Sequence, residues 1–418
     1  MTQVATPAEP TSVFLDDRRA AAAERVRSID LPSFRGRTGW EYTSLEKLDL
    51  SLPVALGGDP SLAPSVPEIE GASIVLTQVG DQVSIVGEAP EGVTVSTLAD
   101  AAVSHPEVVE QFLGTIVDEE DPFVARAESL WTGGAFVHVP RGVQASEPIA
   151  LRLHQDRAGH QQAFRVLVVV EDGARAEVRE LWDTAEGVSG GGIVYPVTEL
   201  VVGQNAHLRY LSVQELDEQT WILGSQRAAV ARDANLDWAV LGLGGGGGRI
   251  HLDAALDGEG AEARITGAYA TRSRQHLDYA TKQIHAAPRT VSDLAFRGIL
   301  NGRSTAVWSG MIEVVPGAQK IDAFQESRNL LVSKKAHADA IPGLEILAND
   351  VRCTHAAAIA QLDEAQLFYL RSRGLPEAAA KRLVIEGFLQ ATVSRFDEGS
   401  FRELVAGALD RRLAEVLG

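Results

Sequence analysis

Cys353 and His355 are the residues whose types and spacing best suit metal chemistry. In an extended backbone, Cys353 and His355 of Asp350-Val351-Arg352-Cys353-Thr354-His355 fall on one face, about 6 to 7 Å apart along the strand. Thiolate and imidazole are side chains that iron and iron-sulfur clusters accept, but a cluster normally takes four protein ligands. With one cysteine in 418 residues, an internal disulfide and a CxxC site are both excluded. The pair is therefore either half of a site that a second polypeptide completes, or an inert buried thiol beside a surface histidine. The single thiol fits a reducing compartment.

Two other motifs resemble catalytic sequences without their required context. Residues 244–248 are five consecutive glycines, but Arg249-Ile250 follow where a phosphate loop needs Lys and Ser or Thr. They are expected to form a flexible turn, and the chain is expected to have no ATP site of its own. Gly187-Val188-Ser189-Gly190-Gly191 has the spacing of a nucleophile elbow, which needs a helix after the serine. Gly192-Ile193-Val194-Tyr195-Pro196 reads as a strand instead. The histidines are mostly single, as at His105, His138, His154, His160 and His207, and are expected to be polar outward residues.

The elements that carry these residues follow from patterning. From about residue 134, short Val/Ile/Leu/Ala runs alternate with Gly/Asn/Asp turns, and no amphipathic helix appears until about residue 362. An irregular repeat places Val178, Leu208, Trp238 and Ile265 at equivalent positions, with steps of 30, 30 and 27 residues. Within a unit, Ala261, Ala263 and Ile265 alternate with Glu262, Arg264 and Thr266, so one face is buried and the other wet. Small inward residues suit narrow stacked coils, and the Trp-Asp signature of propeller blades is missing, so a β-helix is favoured. A composition of 45% hydrophobic but only 6% aromatic residues agrees with thin repeated layers.

The expected organisation is a disordered start over 1–11, an N-terminal helical region with a linker over 12–133, a β-helix core over 134–360, and a C-terminal helical domain over 361–418. Helices are expected over 13–29, 96–113 and 122–130, and residues 52–67 read as a loop. At the other end, a helix over 362–373 stops at Gly374, and a second begins at Pro376 with Leu383, Val384, Phe388 and Ala391 on one stripe. A third begins at Ser400 and buries Phe401, Leu404, Val405, Ala408, Arg412 and Val416. A net charge of −19 disfavours nucleic acid and acidic membranes. With no apolar stretch of 18 residues and no leader-like start, a cytosolic, soluble protein is expected.

Around Cys353 the sequence resembles the SufB/SufD family. The likeness is carried by Pro342-Gly343-Leu344-Glu345-Ile346, by Asp350-Val351-Arg352-Cys353-Thr354-His355, and by Gln361-Leu362-Asp363-Glu364-Ala365-Gln366-Leu367-Phe368-Tyr369-Leu370-Arg371-Ser372-Arg373-Gly374. Upstream, Gly39-Trp40-Glu41-Tyr42-Thr43-Ser44-Leu45 and Phe136-Val137-His138-Val139-Pro140-Arg141-Gly142-Val143 are weaker echoes. The SufB branch has Glu-His-Glu-Ala in place of Cys353-Thr354-His355-Ala356, and a cysteine near Glu326-Ser327-Arg328. The Cys-x-His pattern is that of the SufD branch. Ala356 and Ala358 depart from the family's usual Gly and Thr.

The resemblance implies a mostly β protein, with a right-handed parallel β-helix core flanked by α-helical N-terminal and C-terminal regions. It implies a non-enzymatic scaffold that pairs with SufB through the β-helices and meets the SufC ATPase through the C-terminal helices. A transient iron-sulfur cluster at the SufB interface would take His355 as ligand, with Cys353 as a ligand or auxiliary residue. A homodimer through exposed β-helix edges is an expectation for the isolated chain. The rivals are a SufB-type paralogue and, from the coils alone, a carbohydrate-active β-helix enzyme, for which six Trp and six Tyr spread thinly offer little sugar-binding surface.

Overall fold

Period-two alternation sets the architecture, because a strand that hides alternate residues needs a second layer against its apolar face. In the computed structural model, which describes residues 3–5, 12–32 and 39–417, that second layer is another sheet of the same stack. In chain order the strands are β1 (Gln3–Ala5), β2 (Ile74–Val79), β3 (Gln82–Gly87), β4 (Thr94–Ser96), β5 (Ala135–Val139), β6 (Ile149–Gln155), β7 (Gln161–Val170), β8 (Arg175–Thr184), β9 (Gly192–Val202), β10 (His207–Glu215), β11 (Thr220–Val230), β12 (Asn235–Gly242), β13 (Gly247–Leu256), β14 (Glu262–Thr271), β15 (His276–His285), β16 (Val291–Leu300), β17 (Thr305–Val314), β18 (Ile321–Leu331), β19 (His337–Ile346) and β20 (Val351–Gln361). The helices are α1 (Val13–Ser28), α2 (Leu98–Ser104), α3 (Pro106–Phe112), α4 (Pro122–Leu130), α5 (Glu364–Ser372), α6 (Glu377–Val393) and α7 (Ser400–Leu417).

Even-numbered strands from β6 to β20 form one parallel sheet, and odd-numbered strands from β5 to β19 form the other. Each consecutive pair is one coil, giving a parallel β-solenoid of about 8 turns with 42% strand and 22% helix. The fold is therefore mostly β, as the alternation implies. Between the sheets lies one continuous core containing Val178, Leu208, Trp238, Ile265, Leu294 and Trp308.

Adjacent coils are joined by a ladder of turns in the left-handed region. Gly173, Asn205, Asp233, Gly260, Arg289 and Lys320 all have positive φ. Each of their N–H groups donates to a carbonyl of the next coil, as from Asn205 to Arg232 at 2.9 Å and from Asp233 to Glu259 at 3.0 Å. The repeated turn offsets the strain of φ > 0 at non-glycine residues by pairing one backbone N–H per coil with the next coil.

The register corrects the repeat. Val178 is opposite Tyr210, not Leu208, and Tyr210 is opposite Trp238, which is opposite Ile265. The true steps are thus 32, 28 and 27 residues. The turn at 185–191 is longer than the turns of the next coils, and even spacing of 30 and 30 hides this as a slip of two residues. A two-residue slip preserves parity, so the same face is buried in either register.

Helices cover both outer faces. The expected helices at 13–29 and 122–130 are α1 and α4, which pack together on β7, β9 and β11. The expected helix over 96–113 is two, because Pro106 starts a new helix after His105. The expected helical region also contains strands. The β2–β3 hairpin joins the even sheet, with β2 parallel to β6, and β4 is antiparallel to β5. Its signal is in the sequence, as two short Val/Ile runs flanking Gly80-Asp81. Of the expected disordered start, Gln3–Ala5 lie antiparallel to β3, and the rest of 1–11 lies outside the described residues.

At the other end, α5 stops before Gly374, whose φ is 94°. Helices α6 and α7 dock on the outer face of the even sheet over Leu211, Val213, Leu241 and Ile299. The buried stripe of α7 contains Phe401, Val405, Ala408, Arg412 and Val416, as expected, while Leu404 is partly buried. That of α6 is Ala380, Ile385, Leu389, Thr392 and Val393; of the expected stripe, Leu383 and Ala391 are exposed and Val384 and Phe388 only partly buried. Helix α6 is apolar on more than one face, so its periodicity alone does not select the docked one.

Candidate functional site at the open end of the solenoid

Cys353 and His355 lie on β20, the last strand of the even sheet, opposite Ala323 and Gln325 of β18. Ala323 and Gln325 are both buried, so Cys353 and His355 share the inward face, as strand parity demands. Among the described residues, no strand lies above them. One coil deeper, Trp308, Ile312 and Val314 of β17 are buried, whereas their register partners on β19, Ala340, Leu344 and Ile346, are partly buried or exposed. Ile359 of β20 is exposed as well. The last coil is thus an uncovered apolar mouth with two unpaired strand edges, the kind of surface that a second polypeptide covers.

The two residues differ in setting. Cys353 is partly buried against the small cluster of Ile312, Val314, Ala318, Ile321 and Ala323. His355 is exposed. Burial, with a smaller contribution from the Asp322 carboxylate, pushes the Cys353 thiol up. Asp322 is in turn held by Arg352, its register partner, through Nε at 3.0 Å and NH2 at 2.5 Å. A protonated thiol packed on aliphatic side chains is a poor nucleophile until its surroundings change. Among the described residues, no group of three or more His, Cys, Asp or Glu side chains is arranged to hold a metal ion. The mouth presents two donors, and any cluster held there needs the rest from another chain.

The motifs set aside in the sequence are structural. A Cβ at Gly244 would collide with the Leu216 backbone, one at Gly246 with Glu218 and Gln219, and one at Gly248 with the Ile222 carbonyl. The run is needed for close approach between coils, a sharper reason than the flexible turn expected. Ser189 sits in a turn between β8 and β9, a strand–turn–strand arrangement that lacks the helix of a nucleophile elbow.

Two of the single histidines are not outward solvated residues. His138 Nε2 lies 2.9 Å from Glu171 Oε1. His154 is buried, with Nδ1 3.2 Å from both Asp183 oxygens, and Arg152 bridges Asp183 to the Pro64 carbonyl of the 52–67 segment. His207 is exposed, as expected.

Sequence reasoning missed the buried polar cluster around Glu180. Its carboxylate accepts from Trp182 Nε1, Tyr210 OH, Thr198 Oγ1 and Gln226 Nε2 at 2.7 to 3.1 Å. Four donors on one carboxylate fill its lone pairs, so this cluster pins the core and leaves no room for a ligand.

Residues 152–388 match the model of the SUF system FeS cluster assembly SufBD core domain, and residues 65–151 match the SufBD protein N-terminal region. The boundary falls within β6, where the solenoid begins. The iron-sulfur cluster assembly protein SufD of Bacillus subtilis is 29% identical, over 96% of this chain and 94% of its own length. An iron-sulfur cluster assembly SufBD family protein of Mycobacterium tuberculosis is 30% identical over 70% of this chain and 74% of its own. Another, from Staphylococcus saprophyticus, is 27% identical over 72% and 64%. With the β-solenoid filling the matched core as far as Gln361 and the Cys353/His355 pair at its open end, the chain belongs to the SufBD family of SUF-system iron-sulfur cluster assembly proteins.

Proposed function

We propose that this chain is the SufD-type scaffold subunit of the SUF assembly complex, without catalytic activity of its own. It pairs with SufB through the open last coil and engages the SufC ATPase through its C-terminal helices. A nascent iron-sulfur cluster is the cargo, held at the SufB interface with His355 as a ligand from this chain and Cys353 as the auxiliary thiol.

The observation that carries this reading is the mouth itself, where a thiol and an imidazole share the inward face of an uncovered coil. Covering the exposed part of each Leu or Ile, less than half of the side chain, is worth about 1 kcal/mol, so a partner has apolar surface to gain there. A cluster with four protein ligands would take two from here and two from the partner. The exposed Phe368 and Tyr369 of α5 offer aromatic anchors for a second partner. Nucleotide-driven movement of SufC against these helices would then open the SufB interface and expose Cys353 and His355.

Co-expression with SufB and SufC tests the assignment. The three proteins should co-purify, with ATP hydrolysis only when SufC is present. An isolated chain that hydrolyses ATP, or one that recovers neither partner, contradicts it.

A further inference from the structure

The C-terminal end of α7 meets the even sheet at a cleft of about 330 Å3 lined by Glu215, Glu218, Arg272, Arg411, Arg412 and Glu415. The carbonyls of the last helical turn are tied to turns of the solenoid. Arg272 NH1 donates to the Glu415 carbonyl at 2.8 Å, and Asn301 Nδ2 to the Val416 carbonyl at 2.7 Å. Glu215 ends β10 on its outward side and is the register partner of Asp183 on β8. It is partly buried, yet among the described residues its carboxylate has neither a hydrogen-bond donor nor an ion-pair partner.

Every guanidinium nearby is committed elsewhere. Arg412 donates to the Ala270 carbonyl, Glu415 and Gln275 at 3.0, 2.7 and 2.8 Å. Arg152 donates to Asp183 and to the Pro64 carbonyl. Arg411 is paired with Glu68 and Arg272 with Glu218. The remaining charged neighbours are unfavourable to a carboxylate. Asp183 adjoins it with His154 bonded behind, Asp217 and Glu218 follow on the loop, and α7 brings Glu415 and the negative end of its dipole.

We propose that Glu215 is a proton-controlled latch, with the last two turns of α7 seated on the solenoid while Glu215 is protonated and loosened when it ionises. Burial, then Asp183 and Glu415, push its carboxyl up to about 7, with Arg412 and Arg152 opposing only in part. With α7 lifted, the carboxyl is hydrated and free of Glu415, with Asp183 still beside it, and titrates closer to the ordinary value of about 4.3. Between those two values the seated state holds a proton that the loosened state has released. Seating therefore weakens as pH rises through that window and levels off above it.

Amide hydrogen exchange on the full-length chain, corrected for the intrinsic pH dependence of exchange, tests this. Protection of amides 409–417 should fall about tenfold or more between pH 5.5 and 8, while amides 385–393 of α6 hold steady. Glu215→Gln should abolish the fall. Glu415→Gln, which keeps an acceptor for Arg412 but removes the charge, should make it smaller. Protection independent of pH in the unaltered chain, or the same fall in Glu215→Gln, would overturn the latch.

Discussion

Gln325 and His355 are register partners on adjacent strands, yet Gln325 is fully buried and His355 is exposed. The difference is one missing layer. Every coil below β19 and β20 is covered by the next, and the same inward positions that hold Trp308 and Ile312 out of water become a solvent-facing mouth at the end of the stack. Placing the Cys-x-His pair on that strand leaves it open to solvent and within reach of a second protein.

The thiol should be sluggish in the isolated chain. Burial and Asp322 both disfavour the thiolate, so the midpoint of the pH–rate profile for iodoacetamide alkylation of Cys353 should lie above that of a free cysteine. Asp322→Asn removes the negative charge and leaves Arg352 unneutralised, so it should shift the profile to lower pH. An unshifted profile in that variant would show that Asp322 does not act on Cys353.

The glycine run should tolerate no side chain. Gly248→Ala sets a Cβ against the Ile222 carbonyl and should cost about 3 kcal/mol in urea unfolding, or prevent folding. Gly187→Ala, in a turn with nothing near its Cβ, should cost about 1 kcal/mol for its positive φ alone. Equal losses at the two sites would contradict the close-approach argument.

Acid should destabilise the solenoid partly through His285. It is buried between Thr290 and Ser292, with Nδ1 and Nε2 2.7 and 2.8 Å from their hydroxyls, and burial pushes its pKa down to about 4. In the unfolded chain it titrates near about 6.5. Between those values the unfolded state binds the proton and the folded state does not. Stability should fall with falling pH across that window, by at most about 3 kcal/mol, and this contribution should level off below it. His285→Gln should flatten that part of the stability curve, measured by denaturant unfolding from pH 4 to 7.

Much of this was legible in the sequence. Parity alone put Ala263 and Ile265 inside and Cys353 beside His355 on one face, because strand periodicity depends only on the local backbone. Register was less legible. Even spacing puts Leu208 opposite Val178, whereas turn length varies between coils, and the left-handed residues that mark the true repeat are glycine at 173 and 260 but Asn205 and Asp233 between them. The docked face of α6 and the unpartnered Glu215 were invisible, since both depend on which surfaces meet after folding. What gives Cys353 and His355 their interest, the absence of a coil above them, is likewise a property of the whole stack and of no local motif.

As half of a shared site, Cys353 and His355 should matter to the cluster content of the complex. Anaerobic co-expression with SufB and SufC, followed by iron and acid-labile sulfide analysis of the purified complex, measures this directly. His355→Ala should leave the complex assembled and lower its iron and sulfide content severalfold. Unchanged cluster content in that complex, or a stoichiometric cluster retained by this chain purified alone, would contradict it.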